Sequence, residues 1–382
     1  MKVQRDYIGI YVKYLTTINK RAERCWLRGE NMHIVLNTFE ETKKFINSVF
    51  VDREIKFIAS STSHWHALGI DAEINSNEEL KQSGGIIFIS PHPKDGFLID
   101  SNDFICSRSP KIKIAMVNPI QTRPHELIRL TIKLIINKIK NKTNTFYLLS
   151  PMTPKLLSLR LFTETFLVNS CQLNYILIDE GIGTYLSSSI WKRVQKDDKS
   201  NYDIFGNIII QLKNGIFRVF NSFIIYKCIS VENRFLFNNV KNNLRVNATV
   251  RDNYNKLLLA NANQYPLQGP VALFVTNPYS EYNYVDVIDE YNNIVKKIVQ
   301  LLIKNGFKVI IKPHPREDPN KYQKLINKNN NGNIKILNKN KPIEKEIVLI
   351  KPSVIVGFMS TALLTAKVIF NIPAFTAVKY FF

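Results

Sequence analysis

Short β-branched runs, each ending abruptly on polar residues and alternating with helical patterns, are the strongest constraint on how this chain folds. Val309-Ile310-Ile311 runs directly into Lys312-Pro313-His314-Pro315. Each proline fixes its own φ and restricts the residue before it, so the turn around His314 is stiff. In open α/β sheets, ligands bind in the crevice at the carboxyl ends of the strands. A rigid imidazole there, beside Lys312 and Arg316, suits a phosphate. Ile86 to Ile89 likewise ends in Ser90-Pro91-His92-Pro93. Ile112 to Val117, Thr145 to Leu149 and Tyr175 to Ile178 read as further strands, and Pro154 to Asn169 has helical periodicity. This alternation predicts an α/β architecture with parallel sheets.

The Pro and Gly cluster from Gln264 to Pro270 marks a boundary. The chain therefore divides into a domain at 1–264 and a second at 265–382, and 382 residues suffice for two cores. The second begins with strand Val271 to Val275 and helix Val285 to Asn305. Strand Val309 to Ile311, helix Asn320 to Asn327 and strand Ile334 to Leu337 follow. Helix Ile343 to Leu349, strand Val354 to Val356 and helix Ser360 to Ile369 complete the pattern. Residues 182–263 are harder to read and contain a polar loop at Lys192 to Asn201.

The net charge of +21 requires an anionic environment or partner, or reflects a Lys-rich composition bias. Nucleic acid, anionic lipid and an acidic polymer all qualify. Cations are densest at Lys133 to Lys142 and Lys324 to Lys345. No recognition-helix, zinc or RNP-type pattern appears, which disfavours nucleic acid. The four cysteines are widely spaced with no CxxC pair, as expected of thiols in a reducing compartment. The N-terminus lacks a secretory pattern, and no run reaches the roughly 20 apolar residues of a spanning helix. A cytoplasmic protein is expected. Leu127 to Lys142 mixes basic and apolar residues, so it fits either a membrane surface or an amphipathic helix on a sheet.

Three strand ends carry chemistry. Asp179-Glu180-Gly181 follows strand Tyr175 to Ile178. Adjacent carboxylates at a buried strand end are desolvated, which suits one to act as a general base; the plainer reading is an acidic helix start. The second site is His314 in its proline turn. The third, Gly357-Phe358-Met359-Ser360-Thr361-Ala362, opens a helix after strand Val354 to Val356. Its hydroxyls and backbone N–H groups suit an anion, and Ser360 also suits a simple N-cap.

In that order, an acidic-acidic-Gly motif, a His-Pro motif and a Ser-Ser/Thr motif resemble those of bacterial sialyltransferases. Ile178 to Tyr185 and Lys312 to Pro315 are most similar to the capsule polysialyltransferases of glycosyltransferase family 38. The lipooligosaccharide sialyltransferases of family 52 are a close second. The resemblance covers Tyr175 to Ala366. It implies a GT-B fold, two Rossmann-like domains with the active site in the cleft between them, the first for acceptor and the second for the CMP-sugar. It implies inverting transfer from CMP-sialic acid, with no metal and no separate cofactor. Asp179 would be the base, with Glu180 orienting the loop, although relatives vary in which carboxylate serves. His314 would protonate or hydrogen-bond the departing phosphate, and Ser360 and Thr361 would bind it. Pro342-Ile343-Glu344 matches a Pro-x-Glu pattern whose Glu holds the ribose; a solvated Glu in a helix start is the alternative. Thr276 and Asn277 are candidates for the cytosine. His92 and Lys94, with His64 and Trp65, are acceptor-side candidates, and Trp65 is placed to stack on a sugar. Metal binding by His64 and His66 is not expected, since no further ligand is near in sequence.

The implied acceptor is an anionic oligo- or polysialic acid, or a glycolipid. The implied setting is the inner face of the plasma membrane, alongside capsule assembly proteins. A lipooligosaccharide sialyltransferase and another capsule glycosyltransferase are the alternatives, with a basic nucleic-acid-binding protein as the non-enzyme one.

Overall fold

The computed structural model describes residues 34–51, 55–90, 99–104, 106, 109–118, 144–151, 171–179, 230–234, 248–253, 255–256, 269–278, 285–323, 325, 332–358 and 360–377. Their strands form two sheets, parallel throughout.

The first sheet holds β1 (Ile34–Leu36), β2 (Ile55–Ser61), β3 (Gly84–Ile89), β4 (Ile112–Val117), β5 (Asn144–Pro151), β6 (Cys171–Ile178) and β7 (Ser230–Arg234). Their order is β1-β4-β3-β2-β5-β6-β7. The second holds β8 (Val271–Val275), β9 (Lys308–Lys312), β10 (Ile334–Ile336), β11 (Val354–Gly357) and β12 (Ala374–Thr376), in the order β10-β9-β8-β11-β12. Counted from β8, that is the strand order of a Rossmann half. Two such units, facing one another across a cleft, make the GT-B architecture.

Strands covered on both faces read as unbroken apolar runs, and these do. Every residue of β3, β8 and β11 is buried. Helix Val285–Lys304 covers one face of the second sheet. Its Tyr291, Ile294, Val295, Ile298 and Val299, spaced as one helical face, pack with Phe274, Val309 and Ile311. On the other face, Ile347 and Ile350 of helix Ile343–Ile350 and Ala362 and Ala366 of helix Thr361–Val368 pack with Leu273 and Ile355.

Several expectations shift. The helix expected at Asn320 to Asn327 opens as a 3-10 turn, Pro319–Tyr322, with Asp318 accepting from the Asn320 N–H. Pro319 has no N–H to give, which suits a tight first turn. The sequence reading passed over β1, β2, β7 and β12. The predicted helix Pro154 to Asn169, the segments Lys133 to Lys142 and Leu127 to Lys142, the loop Lys192 to Asn201 and the 264/265 boundary lie outside the described residues. Among the described residues, no helix is long and apolar enough to cross a membrane.

Strand order turns around between β2 and β5 in the first sheet, and between β8 and β11 in the second. Crevices open at such switch points, beyond the carboxyl ends of the strands. Helix His64–Ser76 follows β2 and is buried from Trp65 to Ile74. Its Trp65, Leu68 and Ala72 share an apolar cluster with Ile369 of the second unit, and Val348 and Phe370 pack against it. That contact holds the two units together beside the cleft.

Candidate active site

β9 runs one residue past its apolar core, so Lys312 lies within the strand, opposite Val275 of β8. Lys312 is 3% exposed, and its Nζ donates to the carbonyls of Lys339 at 2.8 Å and Pro313 at 3.3 Å. Burial pulls its pKa down to about 8, against the opposing pull of Glu346, Glu344 and Glu317. The ammonium thus braces the turn from within.

His314 is half-buried at the turn. Its Nδ1 accepts from the Arg316 backbone N–H at 3.2 Å. A backbone N–H only donates, so the neutral ring carries its proton on Nε2. The His314 N–H donates to Glu317 Oε2 at 2.7 Å, and the Thr276 hydroxyl donates to the same oxygen. Glu317 Oε1 accepts from the Tyr322 hydroxyl at 2.8 Å and pairs with Lys321 Nζ at 2.7 Å. Burial, with Tyr291 and Glu317 nearby, pushes the Tyr322 phenol well above its ordinary range. Glu317 is completely buried and joins the end of β8, the His-Pro turn and the 3-10 turn. Sequence reasoning missed it. A carboxylate three residues past His314 was visible, but nothing local marked it as buried.

Thr276, 1% exposed, also donates its N–H to the Lys312 carbonyl at 3.2 Å. The Asn277 N–H donates to the Tyr291 hydroxyl at 2.9 Å. At β11, a Cβ on Gly357 would lie 2.8 Å from the Val275 carbonyl oxygen, so only glycine lets these strands approach. Ser360 caps helix Thr361–Val368, its Oγ accepting from the Ala362 N–H at 3.2 Å. Thr361 is the first helical residue.

Glu344 sits in the first turn of helix Ile343–Ile350 and is 6% exposed, so the solvated alternative does not hold. Burial pushes its carboxyl up, partly offset by a backbone hydrogen bond and the charges of His64 and Lys312. Fully buried Glu346 stands behind it, with Lys341 Nζ at 3.8 Å.

Ser63, His64 and Trp65, at the start of helix His64–Ser76, form the opposite wall. His64 Nδ1 is 3.1 Å from Asp103 Oδ1, and Lys345 Nζ reaches the same oxygen at 3.3 Å from the second unit. Burial alone would raise the Asp103 pKa, but His64, the Asp100 N–H at 2.9 Å and Lys345 together hold it below the usual value. Trp65 Nε1 donates to Asp179 Oδ1 at 3.1 Å. Asp179, directly after β6, is 1% exposed and stands behind Trp65. Trp65 is itself only 9% exposed, which leaves little ring face for stacking. Glu180, His92 and Lys94 lie outside the described residues.

These walls enclose a cavity of about 550 Å³, within the range of small-ligand sites. Of the candidates, His64, Trp65, Thr276, His314, Glu344 and Ser360 line it together. Asp179, Asn277 and Thr361 are not among its described lining residues. His66 is turned away to Thr62, whose hydroxyl is 3.0 Å from its Nδ1. Among the described residues, no three His, Cys, Asp or Glu side chains converge as metal ligands.

Solved structures give only distant likenesses. An alpha/beta-galactoside alpha-2,3-sialyltransferase from Photobacterium phosphoreum is 12% identical, over 85% of this chain and 90% of that one, with a TM-score of 0.43. A sialyltransferase from Photobacterium damsela is 12% identical, over 82% and 72%, at 0.45. A UDP-GlcNAc 2-epimerase from Methanocaldococcus jannaschii is 14% identical, over 84% and 83%, at 0.47. None of the curated proteins compared matches the chain. The family model of the alpha-2,8-polysialyltransferases matches residues 57–379, from β2 to just past β12 and across all three strand-end motifs. The chain belongs to the alpha-2,8-polysialyltransferase family.

Proposed function

We propose that this protein extends a capsular α2,8-linked sialic acid polymer, moving sialic acid from CMP-sialic acid onto the end of an oligosialic or glycolipid acceptor. The family makes it a CMP-sialic acid-dependent glycosyltransferase. The observation that carries the finer reading is the shared cavity, where strand ends β8, β9 and β11 face the start of helix His64–Ser76.

In this reading, His314 serves the leaving group. The Nδ1 hydrogen bond from Arg316 leaves the ring proton on Nε2, the donor form needed at a departing CMP phosphate. Ser360 and Thr361, with the backbone N–H groups of their helix, bind that phosphate. Glu344 accepts from the ribose hydroxyls, and Thr276 and Asn277 serve the base end. The acidic loop supplies the base: Asp179 takes the proton of the acceptor hydroxyl and Glu180 orients the loop. The new bond forms on the face opposite the departing CMP, so configuration inverts, and the reaction needs no metal. His64 and Trp65 belong to the acceptor wall, as do His92 and Lys94 in the reading from sequence. The charge of +21 suits a polyanionic acceptor and the anionic inner face of a membrane.

The test incubates the protein with CMP-sialic acid and a fluorescent oligosialic acceptor, then resolves product length. A ladder of products supports the reading, and His314→Ala should abolish it. A single sugar added to a galactoside acceptor moves the protein to lipooligosaccharide synthesis. No product with either acceptor refutes it.

A further inference from the structure

We propose that Trp65 is a positioning residue: its indole N–H fixes the orientation of the Asp179 carboxylate, while its ring rests on the contact between the two units. This rests on the reading of Asp179 as the base.

The geometry is specific. An indole N–H can only donate, and Trp65 Nε1 lies 3.1 Å from Asp179 Oδ1, with both groups buried. A hydrogen bond to a charged acceptor in a dry site is among the stronger ones available to a protein. Both partners are held from behind. Ser63 caps the helix that carries Trp65, its Oγ accepting from the His66 N–H at 3.3 Å. Asp179 directly follows Ile178, the last residue of β6. The helix and strand touch at Gly69, where a Cβ would fall 2.3 Å from Ile178 Cγ2. The spacing between Trp65 and Asp179 is therefore held by a glycine contact at which an added methyl must push Ile178 or the helix aside.

The other side of the ring faces the second unit. Trp65 shares its apolar cluster with Ile369, and Val348 and Phe370 pack against that cluster. The donor half of the cleft and the base are thus linked through one side chain. A shift of the second unit would reach Asp179 through this ring. That assignment differs from a platform for sugar stacking, which needs an exposed face.

Trp65→Phe keeps an aromatic ring on the contact between the units but removes the N–H together with the second ring of the indole, so melting is measured beside it to register the packing lost. It should lower kcat about tenfold, the size of one hydrogen bond to a charged group, with KM for CMP-sialic acid within about twofold of the parent. Unchanged kcat, or a loss confined to KM, overturns the proposal. A second readout needs no turnover. The chain has three tryptophans, and the indole signal of Trp65 in a nitrogen-15 spectrum is the one missing from Trp65→Phe. Asp179→Ala should move that indole proton upfield, because its charged acceptor is gone. An unmoved signal overturns the proposal. Turnover near the parent level in Asp179→Ala would remove the base reading, and the positioning role with it. An inactive Asp179→Ala beside a fully active Trp65→Phe would leave the base reading standing and remove only Trp65.

Discussion

Replacing Glu317 separates what holds the His314 turn from what works in it. The buried carboxylate has four partners: the His314 N–H, the hydroxyls of Thr276 and Tyr322, and Lys321 Nζ. Glu317→Ala strands the His314 N–H, the Tyr322 hydroxyl and a mostly buried ammonium, while the Thr276 hydroxyl can fall back on the Lys312 carbonyl at 3.4 Å. Each stranded group costs about 1–3 kcal/mol, and breaking a buried ion pair about 3–5 kcal/mol, so the losses overlap near 5 kcal/mol. Total stabilities run about 5–15 kcal/mol, so the variant should lose about a third or more of its stability and melt well below the parent. Glu317→Gln is gentler. Its amide oxygen must face the His314 N–H, which cannot accept, and its NH2 then faces Tyr322 and Lys321. The tyrosine hydroxyl can turn to accept; the ammonium cannot. The net loss is one charged pair, about 2 kcal/mol, or about 4–8 °C in Tm for a domain of this size. Thermal melting by circular dichroism reads both variants, and turnover of Glu317→Gln should fall less than that of His314→Ala. A Tm for Glu317→Ala within about 2 °C of the parent would refute the claim that Glu317 organises this turn.

Lys312 predicts a pH effect. Its pKa falls from 10.5 unfolded to about 8 folded, so between those values the unfolded chain binds the extra proton and stability rises with pH. The associated stability is complete above the unfolded value and is lost as pH falls through about 8; it amounts to about 3 kcal/mol. Lys312→Met lacks this term, so the two proteins should differ in slope across that window, and parallel denaturation curves would sink the assignment. Asp103→Asn weakens the bridge from His64 to Lys345 across the cleft. It should raise KM for the acceptor about fivefold, in keeping with roughly 1 kcal/mol for a partly buried pair, and a parent KM would argue that the bridge is idle. Gly69→Ala forces helix His64–Ser76 off Ile178. It should cost about 1–3 kcal/mol on melting and also lower turnover, since Trp65 moves with the helix; full activity would show that the contact relaxes elsewhere.

The second unit was legible because its strands are covered on both faces. Val271 to Val275 and Val309 to Ile311 are unbroken apolar runs, the pattern that burial on two sides favours. The helix Val285–Lys304 declares its buried face by spacing alone. Strand β2 did not stand out: Lys56 and two serines interrupt IKFIASS, although all but Lys56 are buried. Strands β1 and β12 are three residues each, too short for alternation to register. The site divides in the same way. His314, Ser360 and Glu344 stand at strand or helix ends that local pattern can locate. Glu317 and Asp103 earn their places from partners far along the chain, and no local pattern distinguishes them from surface carboxylates.

That contrast has a mechanical consequence. The wall from the second unit is braced within itself. Glu317 joins β8 to the His-Pro turn, Lys312 Nζ ties that turn to Lys339, and Gly357 locks β11 against β8. None of these ties depends on the first unit. The opposite wall is different. His64 is held through Asp103, which Lys345 grips from across the cleft, and the Trp65 ring shares its packing with Ile369. A change in the relation of the two units would therefore leave the geometry around His314 intact and disturb His64 and Trp65 first. Under the proposed chemistry, the leaving-group side is preorganised in the second unit alone, and the acceptor side is completed only when the two units meet. A transferase gains from that order. In that reading CMP-sialic acid would bind to a finished site, while the packing around Trp65, and through it Asp179, would be complete only with the cleft assembled, which would limit loss of the activated sugar to water.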